Sequence, residues 1–218
     1  NAGPMGTAEL AIVEAKKETI HFAQICHNGL GYIRSAIHAK DENEFETYRK
    51  KLVKYEEIAD RIEYEIASFL NSLPQESISE DTRQKVKAMY KIIGELESLG
   101  DSGESISRIL SRRNIHNKQF TEQHIEKIDT MLSLVDKAYK IMINNLETTE
   151  NTSDNLRCAV DCEIEINDMR NTLREAEILK IEENSSEYQS SVYYLDIISE
   201  IERMGDFVIN ISEALQRK

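Results

Sequence analysis

The 218-residue sequence predicts an all-α protein: two tandem three-helix-bundle repeats, six long antiparallel helices in all. Three observations carry that expectation. Turn-forming residues are sparse, with 2 Pro and 8 Gly, whereas a strand-rich fold needs turn chemistry at every strand end. Apolar residues recur at alternating spacings of three and four, the stripe of helices that pack at shallow angles. The stripe of one half reappears in the other at a nearly constant offset, the mark of an internal duplication.

Taken in order, residues 1–6 (Asn1-Ala-Gly-Pro-Met-Gly6) have no signal-peptide architecture and read as a cloning remnant or linker. The periodic segments then fall at about 7–39, 42–72, 79–112, 119–149, 152–183 and 186–217. Asn71-Ser-Leu-Pro74 stops the second segment, and Ser79-Glu-Asp81 supplies N-cap types for the third. Residues 113–118, around Arg113-Asn-Ile-His-Asn117, form a linker between a first repeat at 7–112 and a second at 119–218. Thr149-Glu-Asn-Thr-Ser-Asp154 is a polar turn inside the second repeat.

The predicted seam of the second segment is Leu52, Tyr55, Ala59, Ile62, Ile66 and Phe69. Adding 107 gives Ala159, Cys162, Ile166, Met169, Leu173 and Ala176 in the fifth. The seam of the third segment is Met89, Ile92, Leu96, Leu99, Gly103, Ile106 and Leu110. Adding 105 gives Tyr194, Ile197, Ile201, Met204, Val208, Ile211 and Leu215 in the sixth. Every matched position is apolar or small, so two helices of each half keep one phase.

Composition narrows function. With charged residues at 31% and apolar ones at 40%, the chain can build a core. A net charge of −13 argues against a nucleic-acid partner, which requires phosphate neutralisation by Lys and Arg. It suits a cationic partner, such as a metal ion or a basic surface. Three cysteines without regular spacing favour a reducing compartment over a disulfide framework. No apolar run is long enough to cross a membrane. Gly-rich phosphate loops and serine-nucleophile motifs are absent from the sequence.

The same offsets align acidic pairs: Glu56…Asp60 in the second segment, Glu97…Asp101 in the third, Glu163…Asn167 in the fifth and Glu202…Asp206 in the sixth. Residues i and i+4 share a helix face, so two such helices side by side present four carboxyl groups at one rim. Clustered carboxylates raise one another's pKa unless a cation neutralises them. Hard oxygen donors suit Mg²⁺, Ca²⁺ or Mn²⁺, and carboxylate clusters also hold iron or zinc. A solvated acidic face accounts for any single pair; four pairs at matched positions favour metal binding. Gly100 and Gly205 precede the third-segment and sixth-segment Asp, which points to close helix approach or room beside the acids. Cys158 and Cys162 are too few for a structural zinc site, and Cys162 falls on the seam. Cys26 and His27, being adjacent, point apart, and His21, His38, His116 and His124 read as surface residues.

Leu96-Glu-Ser-Leu-Gly-Asp101 and Ile201-Glu-Arg-Met-Gly-Asp206-Phe-Val-Ile-Asn-Ile211 resemble the Glu-Arg-Ile-Gly-Asp signature of PhoU proteins. Ile58-Ala-Asp-Arg-Ile-Glu-Tyr-Glu-Ile66 resembles the partner motif on the preceding helix. The opening, Thr7-Ala-Glu-Leu-Ala-Ile-Val-Glu-Ala-Lys-Lys-Glu18, is similar to the junction of bacterial sodium/phosphate cotransporters, where a PhoU-like domain follows a membrane domain. The resemblance implies a non-enzymatic regulatory domain at the cytoplasmic face of the plasma membrane, controlling phosphate uptake. A free-standing PhoU regulator of an ABC phosphate transporter and its sensor kinase is the alternative, and a metal-dependent enzyme the third. The implied partner is a membrane transporter domain, in the same natural chain under the first reading; a homodimer is also expected, and no nucleic acid. Implied cofactors are iron or zinc clusters, or Mg²⁺/Mn²⁺. Carried over, the first site uses Glu56, Asp60, Glu97 and Asp101, and the second Glu163, Asn167, Glu202 and Asp206. An amide is a neutral, weaker ligand, so Asn167 makes the second site bind less tightly or hold fewer ions. Neighbouring Asp168 is about 100° round the helix and a poor substitute. Glu18 and its repeat counterpart Glu126 are candidates for additional ligands.

Overall fold

The computed structural model describes residues 4–76, 78–148 and 153–216. Among them are six α-helices and no strands: α1 (Pro4–Ile37), α2 (Glu42–Asn71), α3 (Glu80–Ile115), α4 (Glu122–Glu147), α5 (Ser153–Glu183) and α6 (Tyr188–Gln216). A single 3₁₀ turn, Ser185–Glu187, leads into α6. Of the residues read as a remnant, 4–6 are already helical and 1–3 lie outside the described residues, as does most of the predicted turn, at 149–152.

The helix ends follow from local chemistry. Asp41, Ser79 and Thr121 are extended N-caps whose side chains accept from the backbone N–H three residues on, at Glu44, Thr82 and His124. At Thr121 the cap is reciprocal, because His124 Nδ1 accepts from the Thr121 N–H. Helix α3 runs on through Arg113–Ile115, which the sequence assigns to the linker. It stops at Asn117, whose φ of 52° is left-handed. The Lys118 N–H reaches back to Arg113 O and the Asn117 N–H to Asn114 O, the double closure of a Schellman motif with Asn in place of Gly. The Arg113 guanidinium then lies 4.6 Å from the Phe120 ring centroid, tying the end of α3 to the start of the second half.

Within each half, all three helices pack on one another. Between halves, α3 packs against α6 and α1 against α4, while α2 and α5 touch only helices of their own half. One apolar core therefore runs through both halves. The α1–α4 contact carries polar pairs, His27 with Asp136 at 2.6 Å, His38 with Asp129 at 2.7 Å, and the ion pair of Arg34 with Asp129 at 3.0 Å.

Nearly all predicted seam residues are buried or packed against the core. Two are not: Phe69 is 40% exposed and Ala176 is exposed. Leu70 and Glu177 take their places inside. Both slips fall at the same register of the duplication, and helix geometry explains them. Eighteen residues make about five turns, so Leu70 faces the same way as Leu52, and Glu177 the same way as Ala159. Phe69 and Ala176 lie about 100° off that line.

The buried Glu177 forces a second correction. His124, expected at the surface, is only 5% exposed. Its Nε2 lies 2.9 Å from Glu177 Oε1, which also accepts from Ser191 Oγ at 2.6 Å, and its ring stacks on Tyr194. An acid at a core register requires such partners, because a buried carboxylate without them is strongly disfavoured.

Candidate metal centre

The first carboxylate cluster is built by α2 and α3. Glu56 and Asp60 stand about one turn apart on α2, as do Glu97 and Asp101 on α3. The two helices close on each other because Gly100 has no side chain: a Cβ there would meet Ala59 Cβ at 2.9 Å. That approach brings one oxygen each of Glu56, Asp60 and Asp101 within 4.8 Å of one another. Glu97 adds a fourth carboxyl beside Asp101 and Asp60. Glu56 and Glu97 are half-buried, and Asp60 and Asp101 are exposed at the mouth.

Carboxyl groups crowded together favour the protonated form of one another. Burial, reinforced by Asp101 and then Asp60, pushes Glu97 up to about 8. Burial and then the charges of Asp60, Asp101 and Glu104 raise Glu56 as well. Glu63, one turn beyond Asp60, is raised by burial and by Asp60. Four close carboxyls thus hold either a proton or a cation. Oxygens bound to one Mg²⁺ or Ca²⁺ at about 2.1–2.6 Å are at most about 4.2–5.2 Å apart. Three carboxylate oxygens from two helices, all within 4.8 Å of one another, are compatible with that range. The donor set is all oxygen, so these residues fit a hard divalent cation.

The second cluster, on α5 and α6, has the same layout and different chemistry. Asn167 Nδ2 donates to Glu163 Oε1 at 3.0 Å. Arg170 reaches across from α5, placing Nη2 4.0 Å from Glu202 Oε1. Burial, then Glu202 and Glu163, push Asp206 up to about 6, while Arg170 pulls the other way. Ile166 holds the repeat position of Ala59, and a Cβ on Gly205 would meet its Cδ1 at 3.1 Å. Among the described residues, no group of three acids comes as close here as Glu56, Asp60 and Asp101 do.

Asp168 is exposed, as its helix phase requires, and exposed Glu18 and Glu126 take no part in the close carboxylate group. Cys26 and Cys162 are core residues and Cys158 is exposed. Burial pushes the Cys26 thiol up, which makes it a poor nucleophile. Two residues of the clusters were passed over in the sequence, Glu63 and Arg170. The signal was present: Arg170 is Glu63 plus 107, two turns beyond the first acid of each pair.

No family model and no curated protein matches the sequence. Solved structures do match in shape. PhoU from Pseudomonas aeruginosa superposes with a TM-score of 0.83 at 12% identity, covering 95% of this chain and 96% of that one. The phosphate transport system regulatory protein PhoU from Streptococcus pneumoniae superposes with a TM-score of 0.77 at 18% identity, covering 95% of this chain and 94% of that one. The fold is PhoU-like. In this PhoU-like fold, among the described residues, no helix is long and apolar enough to cross a membrane.

Proposed function

We propose that the chain is a regulatory module of phosphate transport that holds a divalent cation in the first carboxylate cluster. One observation carries the reading: Glu56, Asp60, Glu97 and Asp101 converge at the seam of a fold shared, end to end, with two proteins named as PhoU. Those four residues supply oxygen ligands. The cation would join α2 to α3, the two helices whose own charges otherwise repel, and so stiffen the outer face of the first repeat. The cluster offers oxygen ligands, and the role read from it is binding and control.

Within that reading, the opening Thr7–Glu18 favours the domain of a sodium-dependent phosphate cotransporter, at the cytoplasmic face of the plasma membrane. Its first partner is then the transporter's membrane domain. The free-standing regulator of an ABC transporter and sensor kinase fits the fold equally well. Uptake of labelled phosphate tests the shared claim. Cells lacking this chain, or carrying Asp60→Ala with Asp101→Ala, will take up phosphate at a changed rate when phosphate is plentiful; unchanged uptake in both would sink it. Reading the natural gene upstream of Thr7 separates the two contexts, because membrane-spanning segments there belong only to the cotransporter.

A further inference from the structure

The matched faces of the two clusters differ by more than the one amide. The first presents Glu56, Asp60, Glu63, Glu97 and Asp101. The second presents Glu163, Asn167, Arg170, Glu202 and Asp206 at the same register. Two of the five positions have changed, and both changes act in one direction. Asp→Asn removes a negative charge and a strong ligand. Glu→Arg removes another and installs a permanent cation, since guanidinium keeps its proton throughout the working pH range.

The geometry brings that cation to the acids of the neighbouring helix. Arg170 springs from α5 and its guanidinium stands 4.0 Å from Glu202 on α6, bridging the two helices whose acids face each other. Its charge is also felt at Asp206. The Arg170 side chain is 26% exposed and that of Glu202 12%, so the pair is shielded from solvent more than an ordinary surface bridge. The amide of Asn167 turns its donor towards Glu163, supplying a neutral hydrogen bond where the first repeat sets two carboxyls together. The second cluster thus sets three carboxyl groups against one built-in cation, where the first sets five against none. An incoming divalent ion would meet a fixed like charge and one fewer carboxylate ligand.

We propose that Arg170 is a tethered counter-cation that replaces the metal in the second repeat, so that the chain loads divalent ions on the first cluster alone. The inference rests on the reading of the first cluster as a metal site. It also assigns the two repeats different tasks: the first responds to divalent cations, and the second is locked by a permanent internal charge.

The test is Mn²⁺ binding to the full chain, followed by equilibrium dialysis and by the loss of the free-ion electron-spin-resonance signal. Wild type is expected to bind at the first cluster, and Asp60→Asn with Asp101→Asn to abolish binding. In that depleted background, Asn167→Asp with Arg170→Glu should create a new site, tightening Mn²⁺ binding at least ten-fold over the depleted parent. Arg170→Gln guards against a misfolded double variant. In the same background it should lower the melting temperature without metal and recover it with excess Mn²⁺, a rescue that a purely structural arginine would not show. Mn²⁺ retained in the depleted parent and lost on adding Glu202→Gln with Asp206→Asn would overturn the inference while leaving metal binding intact. So would a folded Arg170→Gln variant that gains neither affinity nor rescue. A wild type that binds no Mn²⁺ at the first cluster would instead remove the metal reading itself, and this inference with it.

Discussion

The two repeats share one backbone plan and have taken opposite solutions to the same electrostatic problem. Each sets acidic i, i+4 residues face to face across a helix seam. In the first, Gly100 against Ala59 draws α2 and α3 together, and the carboxyls crowd until Glu97 is pushed up to about 8. In the second, Ile166 fills the space beside Gly205, Asn167 softens one pair, and Arg170 balances the rest. The difference shows that a duplicated motif is not a duplicated environment. What a carboxylate cluster does depends on the positions one and two turns away from it.

The largest expected effect separates the clusters directly. Asp60→Ala with Asp101→Ala should reduce bound metal to background in elemental analysis of gently purified protein, and Asp206→Ala should leave it unchanged. Equal losses from the two variants would make the repeats equivalent and break the comparison.

A second contrast lies at the shared register of Leu70 and Glu177. Leu70→Ala should cost about 2–5 kcal/mol, as a transfer and cavity penalty in the core. Glu177→Ala should cost about 3–5 kcal/mol for a different reason, because it strands buried His124 and Ser191 without their acceptor. Denaturant titration measures both. The mechanisms separate in a double-mutant cycle: His124→Ala should recover part of the Glu177→Ala loss and none of the Leu70→Ala loss.

The helix contacts give a smaller test. The neighbour of a new Cβ at Gly100 is Ala59 Cβ, which is fixed to the backbone, so α2 and α3 must part. Gly100→Ala should cost about 1–3 kcal/mol from overpacking, less about 1 kcal/mol regained in helix propensity. At Gly205 a new Cβ would meet Ile166 Cδ1 at 3.1 Å and Cγ2 at 3.3 Å, which asks for a shift of a side chain and not of backbone, so Gly205→Ala should cost less than Gly100→Ala. Only Gly100→Ala should also weaken metal binding. Thermal melting with and without Mn²⁺ reads both effects.

The smallest effect is on pH dependence. In metal-free protein the folded state keeps protons that the unfolded chain releases: Glu97 is raised from 4.5 to about 8, and Asp206 from 3.8 to about 6. The folded state therefore binds more protons in those windows, and stability must fall as pH rises through them. The contribution is complete below the ordinary carboxyl values and lost above the folded ones. Glu97→Gln should flatten the decline up to about pH 8, and Asp206→Asn only its part up to about pH 6, in denaturation midpoints measured across that range. A midpoint for Glu97→Gln that falls as steeply as wild type between about pH 6 and 8 would refute the assignment.

The helical architecture was legible in the chain because apolar spacing and helix period are tied by backbone geometry, whatever the rest of the protein does. Seam residues from Leu52 to Ile66 and from Met89 to Leu110 follow from that alone. So do the caps at Ser79 and the stop before Pro74. The acidic pairs were legible too, since i, i+4 places them on one face. Where strict heptad spacing was carried too far, at Phe69 and Ala176, the true helix period moved burial to Leu70 and Glu177. The burial of His124 is not legible along the chain because its partner, Glu177, lies 53 residues away on another helix.

By itself, then, the sequence determined the helices, their phase and the duplication, all consequences of local periodicity. Only the tertiary structure decided which acids meet. Gly100 against Ala59 closes the first cluster, and Arg170 comes across to Glu202 in the second, because charge and distance between helices are set by packing and not by spacing along the chain.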